Sequence, residues 1–365
     1  MKFSIILKNK LSFNLNNLNE IENLDDIIEL KILNNNYNIE EDNNIRKRRR
    51  LNDDIDDTDD NIIKYIDKLI NLEKLEINYM DIDEINITNN YISSNLTNLK
   101  YLSLNKCKGL DKLPKELINL KELIIEECND IKEIPETYNK LETLYIKECN
   151  NIKNIPNTFI NLKSLTIWNG NIKKIPNTFK KLEKLMIWFD NNLMKIPKEL
   201  INVKELEIEC SPKLKIPKEL TKIEKIKLTF NNIKIPKELI NIKELEFEDC
   251  LAPIPKTLIN LNNVYMIRCN DKKIIPNTLI NLTSLSIIEC DNIKEIPNTL
   301  INLEKLEIDD CDKIKKIPTL INLKHLLLDN LNQKVILSNN LNKLEKLEIC
   351  YCNNINYKKY LNCLI

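Results

Sequence analysis

Eleven cysteines, a single histidine and two glycines are the residues on which any chemistry in this 365-residue chain would have to rest. Eight of the cysteines (Cys107, Cys128, Cys149, Cys250, Cys269, Cys290, Cys311 and Cys352) share one register of a recurring segment. A tetrahedral metal site needs four ligands that converge on a point. A row that advances by about 4.8 Å per strand is a line, so no metal is expected. Small buried side chains that satisfy backbone groups at a turn fit this row, and cysteine is among the most buried residue types. Cys210, Cys350 and Cys363 lie outside it, with Cys350 expected on an outward strand face. His325 falls at an outward strand position with no cysteine placed to pair with it, as a surface histidine would rather than a general base. Gly109 and Gly170 are too few to build a phosphate-cradling loop. No catalytic residue and no cofactor are expected, and the chain reads as a non-enzyme.

Charge and compartment narrow the classes further. Lysine plus arginine and aspartate plus glutamate are both 55, which gives no drive towards nucleic acid. The regular cysteine spacing differs from a secreted disulfide framework and points to a reducing compartment. The apolar run in MKFSIILKNK stops at Lys8, too early for a signal-peptide core. No stretch is long and apolar enough for a membrane span. An intracellular, cytoplasmic protein is expected.

The elements that would position these residues are repeats. The stretch 282–302 reads L-x-x-L-x-I-x-x-C-x-x-I-x-x-I-P-x-x-L-I-N. Units of this kind begin at Leu72, Leu99, Leu120, Leu141, Leu162, Leu182, Val203, Ile223, Ile242, Leu261, Leu282, Leu303, Leu323 and Leu344, with spacings of 19 to 21 after a first one of 27. A fixed period of this size is the signature of a solenoid. Leu285 and Ile287 alternate with Ser284, Ser286 and Ile288, which predicts a short strand with one buried face. Ile293, Ile296 and Leu300 refill the core from the other side. A proline follows that second isoleucine position in eleven units, Pro297 among them, so the back should be extended or one helical turn at most.

The ends depart from the repeat. Residues 1–35 are read as a β-hairpin cap, turning at Lys8-Asn9-Lys10, and a degenerate first repeat through Ile27, Leu30 and Ile32. Residues 36–61 hold nine acids and five bases in 26 positions and are expected to be a disordered charged loop. Its run Arg46, Lys47, Arg48, Arg49, Arg50 has two readings, a nuclear-import signal or a solvated charge run balanced by the acids at 53–60. Those acids, and the absence of interleaved aromatics, argue against nucleic acid. The array is placed at 62–352 with about 14 units, and 353–365 as a C-terminal cap in which Tyr357, Tyr360, Leu361 and Leu364 have helix-like spacing.

The repeated L-x-x-L-x-I…I-P-x-x-L pattern resembles the leucine-rich repeat family, from residue 72 to the C-terminus and weakly from residue 27. The I-P-x-x-L half is similar to the short repeats of bacterial effectors, and the cysteine register to cysteine-containing repeats such as those of F-box substrate receptors. The Ile-Asn-Lys style is most similar to leucine-rich repeat proteins of large DNA viruses, of the poxvirus or giant-virus type. The resemblance implies an α/β fold: a right-handed curved solenoid with a concave parallel β-sheet and a mostly extended or short-helical convex side. It also implies protein binding through the concave face. No F-box is found in residues 1–60, and no nucleotide-binding loop or ligase segment accompanies the array.

Specificity is expected at the outward strand positions, two, four and six after each unit's first residue. These present Tyr145, then Trp168, then Met186 and Trp188, with Tyr101 and Ile124 upstream. The two tryptophans hold the same position in successive units, which predicts a spacing of about 5 Å. Such a patch is either a set of interface anchors or a cross-strand stack that only stabilises the sheet. A charged band follows: Glu205, Glu207 and Glu209 on one strand and Glu244, Glu246 and Glu248 two units on, with Lys225 and Lys227 between them. Six carboxylates against two ammoniums leave an acidic surplus, which predicts a partner with a basic segment and salt-sensitive association. A second apolar group is expected at Tyr265, Ile267, Ile288 and Leu327. The chain is therefore read as a non-enzymatic protein-binding scaffold, in the viral reading a host-interaction factor. The alternative is a substrate-recognition adaptor in ubiquitin ligation or signalling.

Overall fold

The structure, a computed structural model, describes residues 2–7, 12–15, 27–33, 66–79, 92–270, 275–352 and 354–363. The charged stretch 36–61, with its run at 46–50, and the turn at 8–10 lie outside the described residues. The chain forms two compact units, residues 1–179 and 180–365.

In the first unit β1 (Lys2–Leu7) lies antiparallel to β2 (Ser12–Leu15) and to β3 (Ile27–Leu33). On its other side β3 starts a parallel ladder through β4 (Lys74–Asn78), β5 (Tyr101–Asn105), β6 (Glu122–Glu126), β7 (Thr143–Lys147) and β8 (Ser164–Trp168). The β1–β2 pair thus covers the edge of β3, whose open N–H and C=O groups would otherwise invite pairing with another chain. Alternation puts Leu123 and Ile125, Leu144 and Ile146, Leu165 and Ile167 fully inside. Burial of each such side chain stabilises by roughly 1.5–3 kcal/mol before chain entropy is subtracted. Ile131, Ile152, Tyr138 and Phe159 close the core from the back, and Tyr138 spends its hydroxyl on the Pro114 carbonyl at 2.7 Å.

The second unit repeats the scheme. Its parallel sheet is β9 (Lys184–Trp188), β10 (Glu205–Glu209), β11 (Lys225–Thr229), β12 (Glu244–Glu248), β13 (Asn263–Ile267), β14 (Ser284–Ile288), β15 (Lys305–Asp309), then β17 (His325–Asp329) and β19 (Lys346–Cys350). On the back, β16 (Lys316–Ile317) and β18 (Ile336–Leu337) pair in parallel. Elsewhere the back turns once after each proline, as where the Leu200 amide donates to the Pro197 carbonyl at 3.3 Å and Leu239 to Pro236 at 3.2 Å. Proline suits that place because the turn needs its carbonyl and not an amide. The helical share of the expected α/β class is small among the described residues: a helical start at Ile66 and a 3-10 segment at Lys358–Cys363 with a kink at Tyr360. No described helix is long and apolar enough to cross a membrane.

Three polar ladders tie successive repeats. In the first, the asparagine of the L-I-N segment donates its Nδ2 to a carbonyl one repeat back, for example Asn281 to Ile259 and Asn302 to Ile280, both at 2.9 Å. In the second, threonines do the same on the back, as Thr278 to Lys256 at 2.6 Å. The third is the cysteine row. Cys290 accepts the Cys269 amide at 3.3 Å and donates to the Ile288 carbonyl at 3.2 Å, while its own amide reaches Cys311 Sγ at 3.3 Å. At the start of the second unit Asp190, Ser211 and Asn231 fill this register, with the Asp190 amide on Ser211 Oγ and the Ser211 amide on Asn231 Oδ1, both at 3.1 Å. Cys107, Cys128, Cys149, Cys250, Cys269, Cys290 and Cys311 are buried, and Cys352 is half-buried. Burial pushes the Cys149 and Cys311 thiols up to about 12, so they stay protonated and inert at neutral pH.

The row is reached through a left-handed residue that follows the strand. This slot is held by Tyr79, Lys106, Glu127, Glu148 and Asn169 in the first unit and by Phe189, Cys210, Phe230, Asp249, Arg268, Glu289, Asp310, Asn330 and Tyr351 in the second, with φ between 45° and 60°. The twist aims the slot residue's amide at the next repeat, as in Lys106 to Glu126 O at 2.9 Å and Phe230 to Glu248 O at 2.9 Å. A left-handed conformation costs a non-glycine residue roughly 1–2 kcal/mol, offset here by the hydrogen bond and by the burial of the next side chain.

Candidate partner-binding site

In the first unit the outward residues form a diagonal and not a column. Ile124 and Tyr145 face each other across β6 and β7. Tyr101 is the first residue of β5, between Lys74 and Glu122, and Trp168 the last of β8, opposite Lys147. All four are half-buried. Both outer aromatics already carry a cation: Lys74 Nζ lies 4.9 Å from the Tyr101 ring centre and Lys147 Nζ 4.4 Å from that of Trp168. Lysines of the preceding strand thus fold over both outer rings. Burial raises the Tyr145 phenol to about 12, with Glu126 and Glu148 adding to it, so the hydroxyl remains a neutral donor.

In the second unit Met186 and Trp188 are likewise half-buried on β9, in register with Glu207 and Glu209. Farther along, Tyr265 is exposed, and Ile267 and Ile288 face each other across β13 and β14. Leu327 lies opposite Glu307 and Glu348 instead of joining them. His325 sits half-buried at the start of β17 between Lys305 and Lys346, with no cysteine in register.

The glutamate band is different from its sequence count. Lys184 lies 3.1 Å from Glu205, Lys227 3.4 Å from Glu207, and Lys225 3.3 and 2.6 Å from Glu244 and Glu246. Arg268 reaches Glu248 at 2.6 Å and Asp249 at 2.9 Å. Such solvent-facing pairs contribute little each, about 0–1 kcal/mol, yet they offset much of the band's charge. The expected acidic surplus is smaller than the sequence count made it: that count of two bases left out Lys184 and Arg268 of the flanking repeats, and four bases still face six glutamates. Of the six glutamates, only Glu209 has no ion pair among the described residues. Its carboxyl is pushed up by burial and by Glu207 and Glu248, with Lys227 opposing.

Two features of this face lay outside the sequence reading. One is the left-handed slot, whose exposed Phe189 and Phe230 flank the half-buried Cys210. The signal was present in the sequence, as a phenylalanine directly after the last outward position of two units where most others carry a charged or polar residue. The other is Thr229, outward by register yet buried, whose Oγ1 has no hydrogen-bond partner.

A parallel ladder of five-residue strands, a turn into a buried row, and a proline-marked back recur in both units. The fold is a leucine-rich repeat solenoid. A leucine-rich repeat protein of Leptospira interrogans has a similar structure, with 23% identity, 81% of this chain and 82% of that one covered, and a TM-score of 0.58. InlJ of Listeria monocytogenes, whose functional domain includes a cysteine ladder, matches at 19% identity over 80% of this chain and 60% of that one, TM-score 0.47. The Arabidopsis receptor kinase HAESA, solved with the peptide hormone IDA and the co-receptor SERK1, matches at 18% identity over 80% of this chain and 52% of that one, TM-score 0.48. No family profile and no curated protein matches the chain. As a leucine-rich repeat solenoid, the molecule leaves its outward strand positions free to vary, since its core is complete without them.

Proposed function

We propose that the chain is a non-enzymatic scaffold that holds a partner protein on its sheet face. One observation carries this reading. The outward positions hold Ile124, Tyr145 and Trp168 in the first unit and Met186 and Trp188 in the second, although the leucine and isoleucine core is closed without them. Aromatic and methionine side chains in such places are the usual anchors of protein interfaces. The paired glutamates and lysines beside them form a polar flank that supplies register more than affinity. The narrower readings, a viral host-interaction factor and a ubiquitin-ligation adaptor, have no residue of the structure behind them and are not part of the proposal.

The test is a pull-down with a Trp168→Ala, Trp188→Ala double variant whose circular dichroism matches the parent. Loss of the parent's partners supports the scaffold, and an unchanged set of partners removes it.

A further inference from the structure

The sheet-face reading leaves one place on the second unit unexplained. Glu209 lies in register between Trp188 and Thr229. It is the one glutamate of the band without an ion pair among the described residues. Thr229 is 5% exposed, and its shielded Oγ1 has no hydrogen-bond partner. Directly after these strand ends, Phe189 and Phe230 stand 40% and 51% exposed at φ 54° and 50°. Four other units hold Asn169, Asp249, Asp310 and Asn330 in this slot, from the residue types that best tolerate left-handed backbone, and most of the rest hold charged residues such as Lys106, Glu127 and Arg268. The backbone cost is shared by every residue of the slot, but phenylalanine adds an exposed ring that the packing of the unit does not require. The slot's hydrogen bond offsets the backbone cost, as in Phe189 to Glu209 O at 2.9 Å, but nothing in the fold offsets the exposure of the two rings, and an exposed apolar pair of this kind marks a contact site.

We propose that Glu209, Thr229 and the Phe189–Phe230 ridge form a socket for one cationic side chain, arginine or lysine, of a partner polypeptide. The proposal rests on the scaffold reading and gives it a contact. The carboxylate accepts a charge-assisted hydrogen bond from the incoming cation. The aromatic rings flank its apolar stem and offer their faces to its charge. The Thr229 hydroxyl, shielded in the free protein, gains its partner as the Glu209 side chain turns to meet the cation. Glu205, Glu207, Glu244, Glu246 and Glu248 already have partners within the chain. The socket therefore takes a single charge beside apolar neighbours and not a basic run.

Full-length labelled protein is captured on beads bearing randomised peptides around a fixed central arginine, lysine, citrulline or glutamate. Arginine and lysine beads should retain roughly tenfold more protein than citrulline beads, a difference expected of one charged, hydrogen-bonded contact. Glu209→Gln should abolish the difference. Glu224→Gln, which removes a carboxylate paired with Lys243 at 2.8 Å, should leave it intact. The Phe189→Asn, Phe230→Asn double variant should lose capture while its thermal midpoint holds or rises, because asparagine suits the slot. Equal retention on arginine and citrulline, no retention on any bead, or capture that survives Glu209→Gln overturns the socket. If the pull-down partners still depend on Trp168 and Trp188 after such a result, the scaffold reading stands without it. If they do not, both fall.

Discussion

Lys147 extends from β7 over the indole of Trp168 on β8, its Nζ 4.4 Å from the ring centre. A surface cation on an aromatic face of this kind stabilises by about 0.5–1 kcal/mol. Lys147→Met should lower the urea midpoint slightly while uncovering the ring. In a Trp188→Phe background, where Trp168 is the only tryptophan, its emission should shift towards that of water-exposed indole. An unchanged spectrum would mean the lysine does not cover the ring in solution.

Asp190 marks a misfit in the buried row. Its Oδ1 accepts the amides of Asn192 and Leu193, both at 2.8 Å, and its Oδ2 is buried with no partner. Burial raises its pKa above the usual aspartate value, although the two amides oppose this. The folded state thus holds the proton more tightly than the unfolded state. Its contribution to stability is full below the ordinary aspartate range, about 3.9, and is lost as pH rises through the raised value. Asn231, two rungs on, donates its Nδ2 to the Ile208 and Thr229 carbonyls at 2.7 and 2.8 Å. Asp190→Asn should therefore raise stability at neutral pH by about 1–3 kcal/mol and flatten its slope above the aspartate range. Denaturant midpoints measured across acid to neutral pH decide this, and a destabilised variant would show that the carboxylate has a use the geometry hides.

The cysteine row makes an alkaline prediction. Cys149 and Cys311 titrate near 12 when folded because of burial, against about 8.5 for a free thiol. The unfolded chain gives up these protons first, so stability should fall as pH rises from about 8.5 towards 12. At neutral pH Ellman's reagent should find Cys350 rapidly, Cys210 and Cys352 more slowly, and the seven buried thiols only after urea is added. Early reaction of the buried row would mean the solenoid opens locally.

Serine should replace a rung with less damage than alanine. Ser211 already accepts the Asp190 amide and donates to the Glu209 carbonyl at 2.9 Å. Cys128 receives the Cys107 amide at 3.4 Å and donates to the Glu126 carbonyl at 3.2 Å. Cys128→Ala leaves that amide buried and unmatched, at a cost of about 1–3 kcal/mol. Cys128→Ser should be milder. Thermal midpoints of the two variants test the order, and alanine equal to or better than serine would show that the row is held by packing alone.

Much of the scaffold was legible in the chain because each of its parts repeats. The pair Leu285 and Ile287 announces a strand, Cys290 a turn inwards, Pro297 an extended back, and the structure has each of them there. The pairing of the glutamate band was not legible, since it depends on which repeats flank it: Lys184 and Arg268 belong to strands and slots outside the band. The left-handed slot was hidden for another reason. It imposes a backbone angle without imposing a residue type, so Glu127, Arg268, Cys210 and Phe230 share it and no consensus marks it. The asparagines of the L-I-N segments looked like compositional bias, yet Asn281 and Asn302 hold the neighbouring repeat's carbonyl.

The buried row also has a direction. Each rung lends its amide forwards, from Cys269 to Cys290 and from Cys290 to Cys311, and returns its thiol proton backwards to carbonyls such as that of Met266. A rung is therefore interchangeable with its neighbours but not divisible. Duplicating or deleting one whole repeat leaves every donor facing an acceptor, whereas adding half of one strands a rung on each side of the break. Length in such a molecule can change only by counting, so copy number, and with it the span of the sheet, is the quantity this architecture most readily varies.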